Sequence, residues 1–146
     1  MPPFLSKKEL SDLLVTAWEG GSNYWVDSAK YISPKGMTYD ELHHLAWENL
    51  PEEDKEFWKE EKGVPLYSML PYIPSSVKWK IRFVPTDVIN EEGEKFYLTA
   101  ENMKEAGPQV AKTHPQIFKR IKEGQFDAGD ADVWLQTALF NEVIFG

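Results

Sequence analysis

Two adjacent glycines set inside an unbroken helical phase constrain this chain more than any other feature. They lie in Ala17-Trp18-Glu19-Gly20-Gly21-Ser22-Asn23-Tyr24-Trp25, among three large aromatics and one carboxylate. Upstream, Ser6-Lys7-Lys8-Glu9 has the capping-box spacing, in which the Ser hydroxyl and the Glu carboxylate satisfy free backbone donors, and it predicts a helix from about Lys7. At roughly 100° per residue, Leu10, Leu13, Leu14, Ala17, Gly21, Tyr24 and Trp25 share one face, while Asp12, Thr16, Glu19 and Asn23 form a polar stripe opposite. Gly-Gly is an ordinary helix stop, and each glycine costs about 1 kcal/mol relative to alanine in a helix interior. The shared phase on both sides nevertheless favours continuation to about Trp25.

Two readings of this segment stay open. In the first, Gly20 and Gly21 let a ligand approach closely, Glu19 and Asn23 supply hydrogen bonds, and Trp18, Tyr24 or Trp25 stacks on a ring. In the second, the glycines serve helix packing and the aromatics belong to the core. A phosphate loop is disfavoured, because no Gly-Lys-Ser/Thr ending follows and Glu19 would repel the phosphate.

The remainder reads as one α+β domain over residues 1–146, with several short helices packed on a small antiparallel sheet. Thr38-Tyr39-Asp40-Glu41 repeats the capping-box pattern ahead of a helix to about Trp47, and Pro51 suits the first turn of another that ends near Lys62-Gly63 with only Phe57 and Trp58 facing inward. Prolines at 65, 71 and 74 make 64–76 an ordered loop anchored by Leu66, Tyr67, Met69, Leu70 and Tyr72. Val77 to Val84 alternates strictly, apolar on one face and cationic through Lys78, Lys80 and Arg82 on the other, and is the clearest strand. Pro85 ends it, 87–90 adds a short strand, and Glu91-Glu92-Gly93-Glu94 turns the chain into Lys95-Phe96-Tyr97-Leu98 as a hairpin. Thr99 caps a helix to about Ala106, Gly107-Pro108 breaks it, Pro115 opens another to Lys122, and the last helix runs from about Ala131 to Asn141.

The formal charge of −8 opposes a phosphate backbone, so nucleic acid is not an expected partner. No run approaches the ~18 apolar residues that span a bilayer and no basic-then-apolar leader opens the chain, so neither membrane insertion nor export is expected. The absence of cysteine removes disulfides, a thiolate nucleophile and thiolate zinc sites, and fits the cytoplasm. His43 and His44 are adjacent and His114 precedes a proline, so no zinc spacing results, and no Gly-x-Ser-x-Gly elbow is present. No catalytic residue, metal ligand or cofactor is therefore assigned.

A second polar cluster, Asp127, Asp130, Asp132 and Gln136, opens the largely apolar last helix. Asp132 and Gln136 share a face at i, i+4 and need partners if buried. They have the chemistry to grip a ribose, an amino group or a divalent cation; equally, Asp130 can cap the helix and Gln136 serve as a structural hydrogen-bonder.

Thr16 to Trp25, paired with Asp130-Ala131-Asp132-Val133-Trp134-Leu135-Gln136-Thr137-Ala138-Leu139-Phe140-Asn141-Glu142-Val143-Ile144-Phe145-Gly146, resembles a group of small uncharacterised bacteriophage proteins. These share a Glu-Gly-Gly-x-Asn-Tyr-Trp element and an Asp-Ala-Asp helix; one departure is Asn141, where their pattern has glycine. The resemblance covers the two ends of the chain and implies a phage origin, an accessory role in the host cytoplasm and no particular activity. The expected function is capture of a small nucleotide-like ligand during host takeover or evasion of host defence, in a pocket between the first and last helices lined by Glu19, Gly20, Gly21, Asn23, Tyr24, Trp25, Asp130, Asp132 and Gln136. The alternatives are a protein-interaction module that inhibits a host factor through its acidic surface and exposed aromatics, and a metal-dependent hydrolase that uses acidic residues. A homo-oligomer is compatible with each.

Overall fold

The capping box at Ser6 forms as the sequence predicts, with the Glu9 amide donating to Ser6 Oγ at 3.1 Å and the Ser6 amide donating to Glu9 Oε1 at 2.8 Å. It starts α1, Lys7–Thr16, which buries Leu10, Leu13 and Leu14. The computed structural model describes residues 4–86 and 96–146. The expected leaderless start at 1–3, the short strand at 87–90 and the turn and strand entry at 91–95 lie outside those residues.

The helix does not continue to Trp25. It widens into a single π-helical turn, Ala17–Gly21, closed by the Ser22 amide donating to the Ala17 carbonyl at 3.0 Å, and then leaves the helical path. The extra residue in that turn breaks the phase that favoured continuation. Trp25 is in the core and Tyr24 is 55% exposed, although the extended phase had put them on one face. The two glycines also differ. A Cβ on Gly21 would drive into the Ala128 carbonyl, whereas one on Gly20 meets nothing within 4 Å.

Past the turn the chain enters β1, Val26–Ile32, a strand that the sequence reading does not contain. Val26, Ala29 and Tyr31 pack on the core and Ile32 lies on the other face, but an irregularity between Val26 and Ser28 shifts the phase, so no strict period of two marks it. β1 pairs antiparallel with β2, Lys80–Pro85, which pairs antiparallel with β3, Phe96–Leu98, in the order β1-β2-β3. Strand β2 is legible in the alternation at 77–84 but starts three residues later, at Lys80, and includes Pro85; β3 falls within the expected hairpin segment. Pro85 is the last paired residue, opposite Val26 at the irregular end of the ladder, where its missing N–H is tolerated.

Between β1 and β2 run α2, Tyr39–Glu48, with the Thr38 capping box in place, and α3, Glu52–Trp58. The latter stops earlier than expected, at Lys59 with φ of 69°, and Phe57 and Trp58 point outward, 77% and 39% exposed. Seven residues give less than two turns, too little to lay a continuous stripe on the core. The proline-rich stretch at 64–76 contains a helical turn, α4, Leu66–Met69, and a 3₁₀ turn at Leu70–Tyr72 that pack on α1. Its expected anchors Leu66, Met69 and Leu70 are buried, and Tyr67 and Tyr72 pack against the core.

Helix α5, Ala100–Thr113, runs straight through Gly107-Pro108 instead of breaking there. Met103, Ala106, Gly107 and Val110 form one buried face, and α5 lies along α7. An interior proline costs ~3 kcal/mol, and burial of this face offsets it. Helix α6, Pro115–Lys122, has the expected bounds. Helix α7, Ala128–Phe140, begins a turn earlier than expected because Asp127, not Asp130, is its N-cap. It ends at Asn141 with φ of 61°, the left-handed conformation in which glycine is at home and asparagine is the best-tolerated substitute.

The asymmetry of the glycine pair is directly measurable. Gly21→Ala should lose about 1–3 kcal/mol through overpacking against α7, and Gly20→Ala should be neutral or gain up to about 1 kcal/mol. Thermal melts of the two variants should diverge; equal losses would mean that the contact with Ala128 is not what Gly21 serves.

Candidate functional site

Helix α7 buries Asp132 and Gln136 on the side that faces the π turn, and the residues after Gly21 arrive there carrying donors. Asp132 Oδ1 accepts from Ser22 Oγ and from Trp25 Nε1, each at 2.7 Å. Asp132 Oδ2 accepts from the Tyr24 hydroxyl at 2.6 Å and from Gln136 Nε2 at 2.8 Å. Four donors on two carboxylate oxygens match the acceptor-only chemistry of the group. Burial of its hydroxyl, reinforced by the bond to Asp132, pushes the Tyr24 phenol up to about 12.

Gln136 extends the network to the C-terminal segment. Its Oε1 accepts from the Ile144 and Phe145 amides, both at 2.8 Å, and its Nε2 also reaches the Phe145 carbonyl at 3.3 Å. These bonds fold the chain back so that the Phe145 ring stacks on Trp25, centroids 4.8 Å apart and planes within 6°. Phe140 tilts against both rings.

Of the nine residues expected to line a site, Tyr24, Trp25, Asp132 and Gln136 thus meet in one cluster. Glu19 is exposed and accepts instead from the Tyr67 hydroxyl at 2.6 Å, beside a stack in which Trp18 lies between Tyr67 and Tyr31. Gly20 and Asn23 are exposed, Gly21 contacts α7, and Asn23 borders a cleft of about 220 Å³ shared with Trp18, Ser22 and Phe83. Ser22, Phe140 and Phe145 were not singled out from the sequence. Ser22, Tyr24 and Trp25 each carry a side-chain donor within four positions, and that coincidence beside an unpaired Asp on an apolar helix was the available signal.

Asp130 faces away from this cluster. It completes the capping box with Asp127, whose Oδ1 accepts from the Asp130 amide at 2.8 Å, and it takes two bonds of 2.7 Å from the Arg120 guanidinium, which ties α6 to α7. Asp127 thus holds the cap position expected of Asp130, and Asp130 is the reciprocal N3 partner. Among the described residues no three His, Asp or Glu side chains are grouped to hold a metal ion, and no helix is long and apolar enough to cross a membrane.

On the far side of the molecule His44 joins α2 to the turn at 61–63, with Nδ1 at 2.6 Å from Glu61 and Nε2 at 2.6 Å from Glu48. The bond to Glu61 is the main cause that raises its pKa. Neighbouring His43 holds the Val64 carbonyl at 2.7 Å. These contacts fix the segment that follows α3.

Comparison with protein-family models, with curated proteins and with solved structures gives no match for this chain.

Asp132→Asn keeps the shape but places an amide donor against donors, and should cost about 2–4 kcal/mol. Faster hydrogen exchange at Ile144 and Phe145 should accompany it, because Gln136 loses its anchor; normal exchange there would separate the C-terminal segment from the hub. Asp130 supplies a pH signature. The Arg120 bonds hold its carboxyl below the ordinary value, so its stabilising effect is present above about pH 4 and is lost as pH falls through the lower folded value. Denaturant unfolding between about pH 6 and pH 2.5 should show a shallower acid loss in Arg120→Gln than in the parent.

Proposed function

We propose that this protein is a phage-encoded accessory protein that acts without catalysis, by binding a basic surface of a host protein through the face built on α3. The observation that carries this reading is the exposed pair Phe57 and Trp58. The two rings meet edge to face, 5.6 Å apart at 88°, on a helix whose other side chains include Glu52, Glu53, Asp54 and Glu56. An aromatic anchor inside a charged rim is the usual anatomy of a protein-binding hot spot. A cleft of about 290 Å³ adjoins it, bordered by Asp12, Val15, Leu50, Asp54 and Tyr72, with room for an aliphatic or cationic side chain of the partner. The formal charge of −8 steers approach toward basic surfaces. The resemblance of the two chain ends to bacteriophage proteins supports the origin.

The rival reading, capture of a nucleotide-like ligand, would draw on Asp132 and Gln136, whose polar atoms are bonded inside the protein. A ligand there would have to replace at least one of those bonds, each with a net worth of about 1 kcal/mol or more. The exposed aromatic face needs no such exchange, and for that reason we favour it.

The test is binding by the Phe57→Ala/Trp58→Ala variant. Its melting temperature should stay within a few degrees of the parent's, since neither ring belongs to the buried core although Trp58 is partly covered, while affinity for the host protein that the parent captures should fall at least about 30-fold. Affinity of the parent should also weaken with added salt. A captured partner that binds the double variant as tightly as the parent would defeat the proposal.

A further inference from the structure

The outer face of the sheet is cationic, in a chain that is otherwise strongly acidic. The register sets Lys30 opposite Arg82 and Arg82 opposite Tyr97, with Ile32 opposite Lys80 in the next row and Ser28 opposite Val84 in the row beyond. The alternate set, Ala29, Tyr31, Ile81, Phe83 and Leu98, turns toward the core, so the first set shares the open side. Lys30, Lys80, Ile32 and Tyr97 are exposed there, and the Lys80 ammonium stands 5.6 Å from the Tyr97 ring centre. Among the described residues no carboxylate forms an ion pair with Lys30, Lys80 or Arg82.

The same chain carries the complement. Helix α3 is about 10 Å long, and residues 80–84 of β2 cover about 13 Å, so one fits along the other. On α3, Glu52 with Glu56 and Glu53 with Phe57 are i, i+4 neighbours, so an exposed ring is flanked by carboxylates, of which Glu52 also lies 3.6 Å from Lys55 at the solvent surface. On the sheet, an aliphatic and aromatic surface of Ile32, Val84 and Tyr97 is flanked by three cations. We propose that α3 of one copy docks on the outer sheet face of a second copy, with Phe57 against the apolar surface and Glu52, Glu53 and Glu56 facing Lys30, Lys80 and Arg82.

The contact joins two different surfaces, so it closes as a two-fold pair where both reciprocal contacts form at once and otherwise repeats into rings or open chains. One short helix on three strands buries less than a stable interface needs, so the association is weak and salt-sensitive. It covers Phe57 and thereby competes with any other partner of α3. The inference uses the same helix as the function proposed above but stands whether or not a host protein binds there. A nucleic acid strand is the weaker occupant, because three cations neutralise few phosphates against the repulsion of the whole molecule.

Sedimentation of the full chain from about 10 µM to about 1 mM tests this. Average mass should rise with concentration at about 20 mM salt and return to the monomer value at about 300 mM. Lys30→Glu/Lys80→Glu and Glu52→Lys/Glu53→Lys should each be monomeric alone. Mixed, they should associate again, since one retains the acidic helix and the other the cationic sheet face, and the two reversed surfaces also complement each other. Where a reversed pair fails to melt like the parent, Lys30→Gln/Lys80→Gln or Glu52→Gln/Glu53→Gln takes its place. A parent that is monomeric throughout, association that survives both variants, or a mixture that stays monomeric overturns the proposal. So does a labelled single-stranded oligonucleotide that binds through Lys30 and Lys80 while the protein remains monomeric. Loss of self-association with host-partner binding intact would leave the proposed function standing alone.

Discussion

A carboxylate in the interior is costly to desolvate, and the fold is arranged so that Asp132 never lacks partners. Its four donors come from the residues just past the π turn and from one turn further along α7. The arrangement explains why the helix must stop at Gly21: continuation would set Ser22 and Tyr24 about 200° apart, whereas the turn delivers Ser22, Tyr24 and Trp25 to one acceptor. It explains Gly21 as well, since the approach of the turn to the Ala128 carbonyl leaves no space for a Cβ. A buried polar hub of this kind specifies an arrangement more than it adds net stability, because an apolar cluster of equal volume would avoid the desolvation.

The parts of the fold that were legible in the sequence are those where a local rule and the tertiary demand agree. The Ser6 and Thr38 boxes, the alternation of Ile81 and Phe83 and the proline at 115 each fix an element through short-range chemistry. The failures have different causes. At Gly107-Pro108 and at Leu66–Met69 the local signals read against helix, and burial against α7 and α1 overrode them. At Phe57 and Trp58 the assumption that aromatics face inward was the error, and a surface pair was read as core. Residues 26–32 form a strand because β2 offers a partner, which local pattern does not report.

The candidate site was legible in half. Asp132 and Gln136 announced themselves as polar groups on an apolar helix, and Tyr24 and Trp25 as neighbours of the glycines. The tie between the two groups was not legible, because sequence proximity carries no information across more than a hundred residues. Glu19 and Asn23 were grouped with them as hydrogen-bonding side chains of the glycine segment, and both are exposed, Glu19 on the π turn and Asn23 past it. The surface also has a local pattern that net charge conceals, with Lys30, Lys80 and Arg82 together on the outer sheet face and four carboxylates beside Lys55 on α3.

The π turn and α7 close a loop of 110 positions between Ser22 and Asp132. Contacts of such separation carry the largest loop-closure entropy and form late on the folding path. During synthesis the Trp25 indole and its neighbours must therefore wait, unpaired, until α7 has emerged and packed. The amino-terminal half consequently passes through a period when its most hydrophobic turn is open to water and to chaperones, and the rate at which that period ends is set by α7.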